Sequence, residues 1–328
     1  MHSETHDKVT AQNSSPLFSI DPASNSDAMS LTPAGRHTRP QHHIGIRAPW
    51  WFIVPALALY LFVVVVPSVR GAFFSVTDWN GLSSAWNFVG LSNFIDVFED
   101  HAARSALVNT VILALAATLV QNALGLTLAL GVNSLVKSRF VLRVIFFAPV
   151  VLTPLVSGYL WSYILSPNGP LNRFFHSTGL GFLAQDWLGD PRFALASVAL
   201  AIVWQFSGYS MVIYLAGLQA IPEEVVEASV IDGAGAWRRF WNVIFPLLNG
   251  AVVINVMLTL IGGLKQFDQV IAMTGGGPGT SSETISTLIY KDAFVRGEYP
   301  MSIALAVVMT IVIALFAGVQ YRLASRRS

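Results

Sequence analysis

Cysteine is absent from this chain of 328 residues, which excludes disulfide bridges and thiolate-held metals. Charge is scarce as well: Asp, Glu, Lys and Arg make up 11% of the residues, against about 25% in ordinary soluble domains. The formal net charge is +1, so no basic excess points to nucleic acid. Nucleotide and catalytic signatures are missing too. No G-x-x-x-x-G-K-[ST] occurs, and the one dense glycine run, Gly275-Gly276-Gly277-Pro278-Gly279, lacks the following lysine, so the chain is not expected to bind ATP by itself. Neither H-E-x-x-H nor G-x-S-x-G is present, and no cluster of His or carboxylates lies within an apolar run. An enzymatic reading therefore has little to stand on, and His37, His42 and His43, spread through a polar stretch, read as solvated side chains instead of a metal tract.

Hydrophobic residues, by contrast, reach 54% of the chain, with a mean hydropathy of +0.59. About 20 apolar residues cross the hydrocarbon core of a bilayer as a helix, and six stretches qualify. They are Trp50 to Val69, Ala106 to Val132, Val141 to Leu165, Phe193 to Leu218, Pro246 to Phe267 and Met301 to Leu323. The predicted fold is all-α and polytopic, spanning 48–328, after a polar, Ser- and His-rich tail at 1–47 expected to be disordered. The connections alternate in charge: Arg36, Arg39, Arg47, Lys137, Arg139, Arg143, Arg238, Arg239, Arg322, Arg326 and Arg327 fall on one side, while Asp96, Asp100, Glu283, Asp292 and Glu298, with fewer basic residues, fall on the other. By the positive-inside rule both termini are cytoplasmic. Pro55, Pro67, Pro149 and Pro154 fall in or beside spans, so bent helices are expected.

Ion-coupled transporters carry ionisable groups at mid-membrane. Here only Lys265 and Asp268 approach a span interior, at an i, i+3 spacing that would let them pair. A secondary transporter is thus the weaker reading. The spans instead hold uncharged hydrogen-bonding and aromatic groups: Gln121 and Asn122; Tyr159, Trp161 and Tyr163; Gln205, Ser207, Tyr209 and Tyr214; Asn255, Thr259 and Gln266. Such groups suit a polyhydroxylated neutral solute. They equally suit bonding of helix to helix.

One segment is polar amid these runs: Ile221 to Pro246, IPEEVVEASVIDGAGAWRRFWNVIFP. Pro222 and the acidic Glu223, Glu224 and Glu227 suit a helix start, and Gly233 and Gly235 break the pattern. Trp237, Phe240, Trp241 and Ile244 then recur at helical spacing, predicting an apolar face that docks the segment against the bundle. Glu227-Ala228-Ser229, Gly233 four residues on, and Val243-Ile244-Phe245-Pro246 resemble the EAA loop of permease subunits of ATP-binding-cassette importers. Asp232-Gly233-Ala234, Trp237, Met273-Thr274-Gly275-Gly276-Gly277-Pro278, Thr284 and Tyr290 to Phe294 are similar to the carbohydrate-uptake branch.

The resemblance implies a fold of six transmembrane helices in a bacterial cytoplasmic membrane. It implies a heterodimer with a second, homologous permease, above an ATPase dimer that holds ATP and Mg, so that this chain needs no cofactor and is not itself an enzyme. It further implies an external solute-binding protein that delivers a neutral sugar or oligosaccharide; a glycerol phosphate or polyol is the alternative. Glu227, Ala228, Ser229, Asp232, Gly233 and Ala234 would form the ATPase-coupling loop within about 221–246, and Tyr209, Asn255, Thr259, Gly263 and Gln266 the substrate path.

Overall fold

The computed structural model describes residues 50–134 and 138–325; the tail expected at 1–47, like Lys137, Arg326 and Arg327, lies outside them. The chain divides into two units, Met1–Phe52 and Ile53–Ser328, and of the first only 50–52 are described, with the Trp51 and Phe52 rings stacked at 4.5 Å. The second unit is helical, with one isolated antiparallel bridge, Thr77 to Phe88, among its described residues.

Its helices are α1 (54–74), α2 (Ser92–Glu99), α3 (His101–Asn133), α4 (Arg139–Val151), α5 (Pro154–Ile164), α6 (Pro170–Ser177) and α7 (Pro191–Gln219). There follow α8 (Glu223–Ile231), α9 (Ala236–Leu247), α10 (Asn249–Leu264), α11 (Asp268–Met273), α12 (Ile285–Lys291) and α13 (Tyr299–Ser325). Local chemistry sets their starts. Asp100 accepts from the Ala102 and Ala103 amides to open α3, Thr153 with Pro154 opens α5, and Asp190 with Pro191 opens α7.

Four helical runs are long and apolar enough to cross a membrane, Trp51–Phe74, His101–Asn133, Pro191–Gln219 and Tyr299–Arg322. Two further spans are broken. The third bends by 97° between α4 and α5, and the fifth by 70° between α9 and α10, which makes six spans when each bent pair counts as one. Prolines sit at both breaks, Pro149 and Pro154 at the first and Pro246 beside the second, where each removes an amide from the helical ladder. The fifth helix also stops earlier than its apolar run, at Leu264 instead of Phe267.

The core is α3 packed on α7 and α10. Between helices in a bilayer the driving force is close packing, so small residues belong at the contacts. Ala106, Ala114, Ala117 and Ala129 are buried along α3, and a Cβ on Gly208 of α7 would stand 2.0 Å from the Phe146 carbonyl oxygen of α4. At one end Val132, Leu218 and Leu248 pack together with Leu142 and Ile244. At the other Val97, Ala103, Leu288 and Leu305 do. Arg139, Arg143, Arg238 and Arg239 belong to helices converging on the first cluster, and Asp96, Asp100, Glu283 and Asp292 flank the second, so the bundle has a basic and an acidic end.

Candidate functional site

At the basic end, α8 carries the charged turn. Pro222 stands at the cap position, one residue before the helix, with Glu223 and Glu224 in the first turn, where the helix dipole favours negative charge. The helix closes on Gly233 at φ +77°, a left-handed conformation that side-chain-bearing residues avoid. The Gly233 amide donates to the Val230 carbonyl and the Ala234 amide to the Ser229 carbonyl, both at 3.0 Å, the paired closing bonds of a glycine-terminated helix. Glu227, Ala228, Asp232 and Gly233 are exposed, Ala234 is half-buried, and Ser229 turns inward, 7% exposed, donating from Oγ to the Val226 carbonyl at 2.6 Å. The turn thus presents a carboxylate and a rigid glycine corner outward.

The aromatic face after it does not dock as its spacing predicted. Ile244 packs against the bundle, but Trp237 is 76% exposed and Trp241 45%. A π turn at Phe240–Ile244 and the 70° bend before α10 swing the helix aside, so its rings meet each other instead of α7.

Midway along the bundle, α3, α7, α10 and the break after α10, with Pro154 at the start of α5, line a half-open cavity of about 390 Å³. Tyr209, Thr259, Gly263 and Gln266 line it together with Gln121, Lys265 and Asp268. Gly263 is there for close approach: a Cβ would meet the Ala114 Cα at 2.9 Å. Asn255 does not line the cavity. It is fully buried, one helical turn beyond Thr259, and its Nδ2 donates to Asn122 Oδ1 at 2.9 Å. The same oxygen accepts from the Tyr214 hydroxyl at 2.5 Å, and Asn122 Nδ2 donates to Thr259 Oγ1 at 2.9 Å. This knot joins α3, α7 and α10 beneath the cavity floor and holds Asn255 inside through its Nδ2 alone, its buried Oδ1 having no partner among the described residues. Tyr159 and Tyr163, 61% and 63% exposed, point away from the site.

A second network reaches the cavity from the other side. Gln205 Nε2 donates to the Leu152 carbonyl at 2.8 Å, Gln269 Nε2 donates to Gln205 Oε1 at 2.7 Å, and Gln266 Nε2 donates to Gln269 Oε1. Gln205 and Gln269 are wholly buried. Because a backbone carbonyl can only accept, it fixes the direction of every amide in the relay. Gln266 is left with its Oε1 unbonded to any described residue, as is the Tyr209 hydroxyl. The relay ties the Leu152 carbonyl, at the break in the third span, to Gln266, in the interruption between α10 and α11. Gln269 was not singled out in the sequence, where only its i+3 spacing from Gln266 marks it.

Lys265 and Asp268 do not pair. Helix α10 ends at Leu264 and α11 begins at Asp268, so the continuous helical surface that would bring i and i+3 together is interrupted, and both charges face the cavity unpartnered among the described residues. At the acidic end the glycine loop is clamped: the Glu283 carboxylate, 3% exposed, pairs with Lys291 and accepts from Thr287 Oγ1 at 2.6 Å. Thr284 caps α12 in a capping box, and Asn109 Nδ2 donates to the Thr280 carbonyl at 2.8 Å. Among the described residues no three His, Asp or Glu side chains gather to hold a metal ion.

Comparison with known proteins agrees with this architecture. The chain is 34% identical over 278 residues to a probable starch degradation products transport system permease protein, AmyD, of Thermoanaerobacterium thermosulfurigenes, covering 85% of this chain and 94% of that one. It is 32% identical over 277 residues to the multiple sugar-binding transport system permease protein MsmF of Streptococcus mutans, covering 84% and 95%. Its fold matches the crystal structure of a bacterial ABC transporter involved in import of the acidic polysaccharide alginate, with a TM-score of 0.73 at 20% identity over 84% of this chain and 94% of that one. Residues 121–328, which contain the charged turn and most of the cavity wall, match the family model of the binding-protein-dependent transport system inner membrane component. The chain is a multi-pass membrane protein and belongs to that family of ABC importer permeases.

Proposed function

We propose that this permease passes a neutral sugar or oligosaccharide, handed over by an external solute-binding protein, into the cytoplasm, paired with a second permease and driven by an ATPase dimer that carries the ATP and Mg. The observation that supports it most is the cavity: its wall offers Gln266 Oε1, the Tyr209 hydroxyl and Asp268 as acceptors, against Lys265 as donor, with aromatic and apolar surface beside them. Hydroxyl groups of a sugar donate to acceptors of this kind. A phosphate ester calls for several cationic donors, and Asp268 on the same wall offsets the single Lys265. The names of two relatives, starch products and multiple sugars, support a carbohydrate solute, and the choice of a neutral one rests on the cavity wall.

The charged turn supplies the drive in this reading. Glu227, exposed on α8, meets a basic group of the ATPase, and the glycine corner lets Asp232 and Ala234 seat as a rigid knob. Since α8 and α9 lie between α7 and α10, movement of the knob reaches both walls of the cavity. The test is ATP-driven uptake by the reconstituted importer. Glu227→Lys with Gly233→Trp is expected to abolish uptake and ATPase assembly while the chain remains folded; undiminished uptake sinks the coupling role. Competition against uptake by neutral oligosaccharides, and none by sugar phosphates, is expected; the reverse order refutes the choice of solute.

A further inference from the structure

Helix α9 presents a surface that neither the charged turn nor the cavity uses. Its rings form a connected set, Trp237 to Trp241 at 5.7 Å, Phe240 to Trp241 at 5.0 Å and Trp241 to Phe245 at 5.2 Å, yet the two indoles stand exposed at 76% and 45%. An apolar patch of this kind in water is unfavourable and marks a partner.

Three observations identify that partner. The first is level. Leu248, where α9 gives way to α10, packs with Leu218 near the end of α7, so α9 lies at the basic edge of the bundle, where the spans leave the hydrocarbon. The second is direction. A 70° bend separates α9 from the spanning helix α10, which lays α9 nearly parallel to the membrane plane when α10 crosses it. The third is continuity. The exposed apolar surface runs on from α9 into Leu247 and Ile254, at 51% and 56% exposure, and ends there, since Leu258 one turn on lines the cavity. The outer face of a spanning helix at that depth is beyond the reach of a soluble protein. Arg238 and Arg239 follow Trp237 directly, about 100° and 200° round the helix, so one cationic donor stands beside the rings and one on the opposite face.

We propose that α9 is an interfacial anchor whose occupant is anionic phospholipid: indole rings at the boundary of headgroup and acyl chain, arginines on the phosphates. Indole is favoured at that boundary, and a helix with one aromatic and one basic face lies in it. The anchor fixes one end of α10 at the surface, so displacement of the charged turn tilts α10 instead of sliding it. This consequence rests on the coupling reading above; the anchor itself does not.

Because the chain has no cysteine, Trp237→Cys, Trp241→Cys and Asn242→Cys each carry a single spin label without background. The labelled chain is placed in the assembled importer, in vesicles of phosphatidylcholine with a minority of phosphatidylglycerol, and label depth is read from collisions with oxygen and with a water-soluble nickel chelate. Labels at 237 and 241 are expected about 5–10 Å into the interface, with the label at 242 in water. Arg238→Gln with Arg239→Gln is expected to move the two deep labels outward and to remove their dependence on phosphatidylglycerol. Labels at 237 and 241 that are open to the chelate in vesicles without the ATPase, and shielded once it is added, overturn the proposal in favour of a protein dock. So does closure to both reagents only when the second permease is present, or equal wetting at all three positions. Depth is read whether or not any solute is carried, so this result and the sugar assignment fail separately.

Discussion

Replacing Gln205 with Leu tests the buried amide relay directly. The substitution removes two hydrogen bonds, to the Leu152 carbonyl at 2.8 Å and from Gln269 Nε2 at 2.7 Å, and leaves both partners in a site where Gln205 and Gln269 are wholly buried. Side-chain hydrogen bonds between helices in a bilayer average about 0.6 kcal/mol and reach about 1.7 kcal/mol, so the bonds alone account for about 1–3 kcal/mol. Counted instead from the two groups left stranded, at about 1–3 kcal/mol each, and with part offset by the better burial of Leu, the net loss comes to about 2–4 kcal/mol. Gln269→Leu strands different atoms, and in the double variant the Gln269 amide is no longer present to be stranded. The double loss is therefore expected to fall short of the sum by about 0.5–2 kcal/mol. Equilibrium unfolding of the purified chain in mixed micelles, run on the four proteins of this cycle, measures it. A single-variant cost below about 0.5 kcal/mol, or losses additive to within about 0.3–0.5 kcal/mol, refutes the relay.

Neighbouring glycines supply a paired control: Gly263→Ala places a Cβ 2.9 Å from the Ala114 Cα and is expected to cost about 1–3 kcal/mol in the same assay, whereas Gly262→Ala, with nothing within 4 Å, should be near neutral. At Gly233 a Cβ meets nothing within 4 Å, so Gly233→Ala isolates the left-handed backbone cost of about 1–2 kcal/mol; a neutral result removes the rigid corner from the argument. Burial raises the Asp292 carboxyl above its ordinary 3.8, with the Arg296 bond at 2.5 Å only partly opposing it. The folded chain then holds this proton after the unfolded chain has released it, so stability from this group falls as pH rises from about 3.8 through the raised value, and Asp292→Asn should abolish that fall in a melting-temperature series. Asp190 behaves oppositely: its bonds to Arg192 hold it down to about 2, so its contribution is present above the ordinary carboxylate range and fades as pH drops toward about 2, a trend that Asp190→Asn should remove.

The spans were legible because bilayer thickness imposes a length that composition alone reveals, and α3, α7 and α13 follow their apolar runs. Charge placement foretold the basic and acidic ends. What the sequence hid were contacts between breaks. Lys265 and Asp268 look paired on a continuous helix, and nothing in their spacing announces that α10 stops between them. Likewise Asn255 shares its helical stripe with Thr259 but is drawn inward by Asn122 from a helix more than a hundred positions earlier. The apolar stripe from Trp237 was visible, yet periodicity states only that a face exists and never which solvent it meets.

Among the described residues, α1 is the one unbroken spanning helix with no buried residue, through all of Val54–Tyr60, Leu61–Val65 and Val66–Phe74. Folding of such a protein has two stages, insertion of independent helices and then their assembly. By that measure α1 has barely entered the second, touching α13 along Val66–Phe74 without burying a side chain. Its first half, Val54–Val65, is left to the surrounding lipid or to another subunit, and removing side chains there one at a time should leave the melting of the remaining bundle untouched.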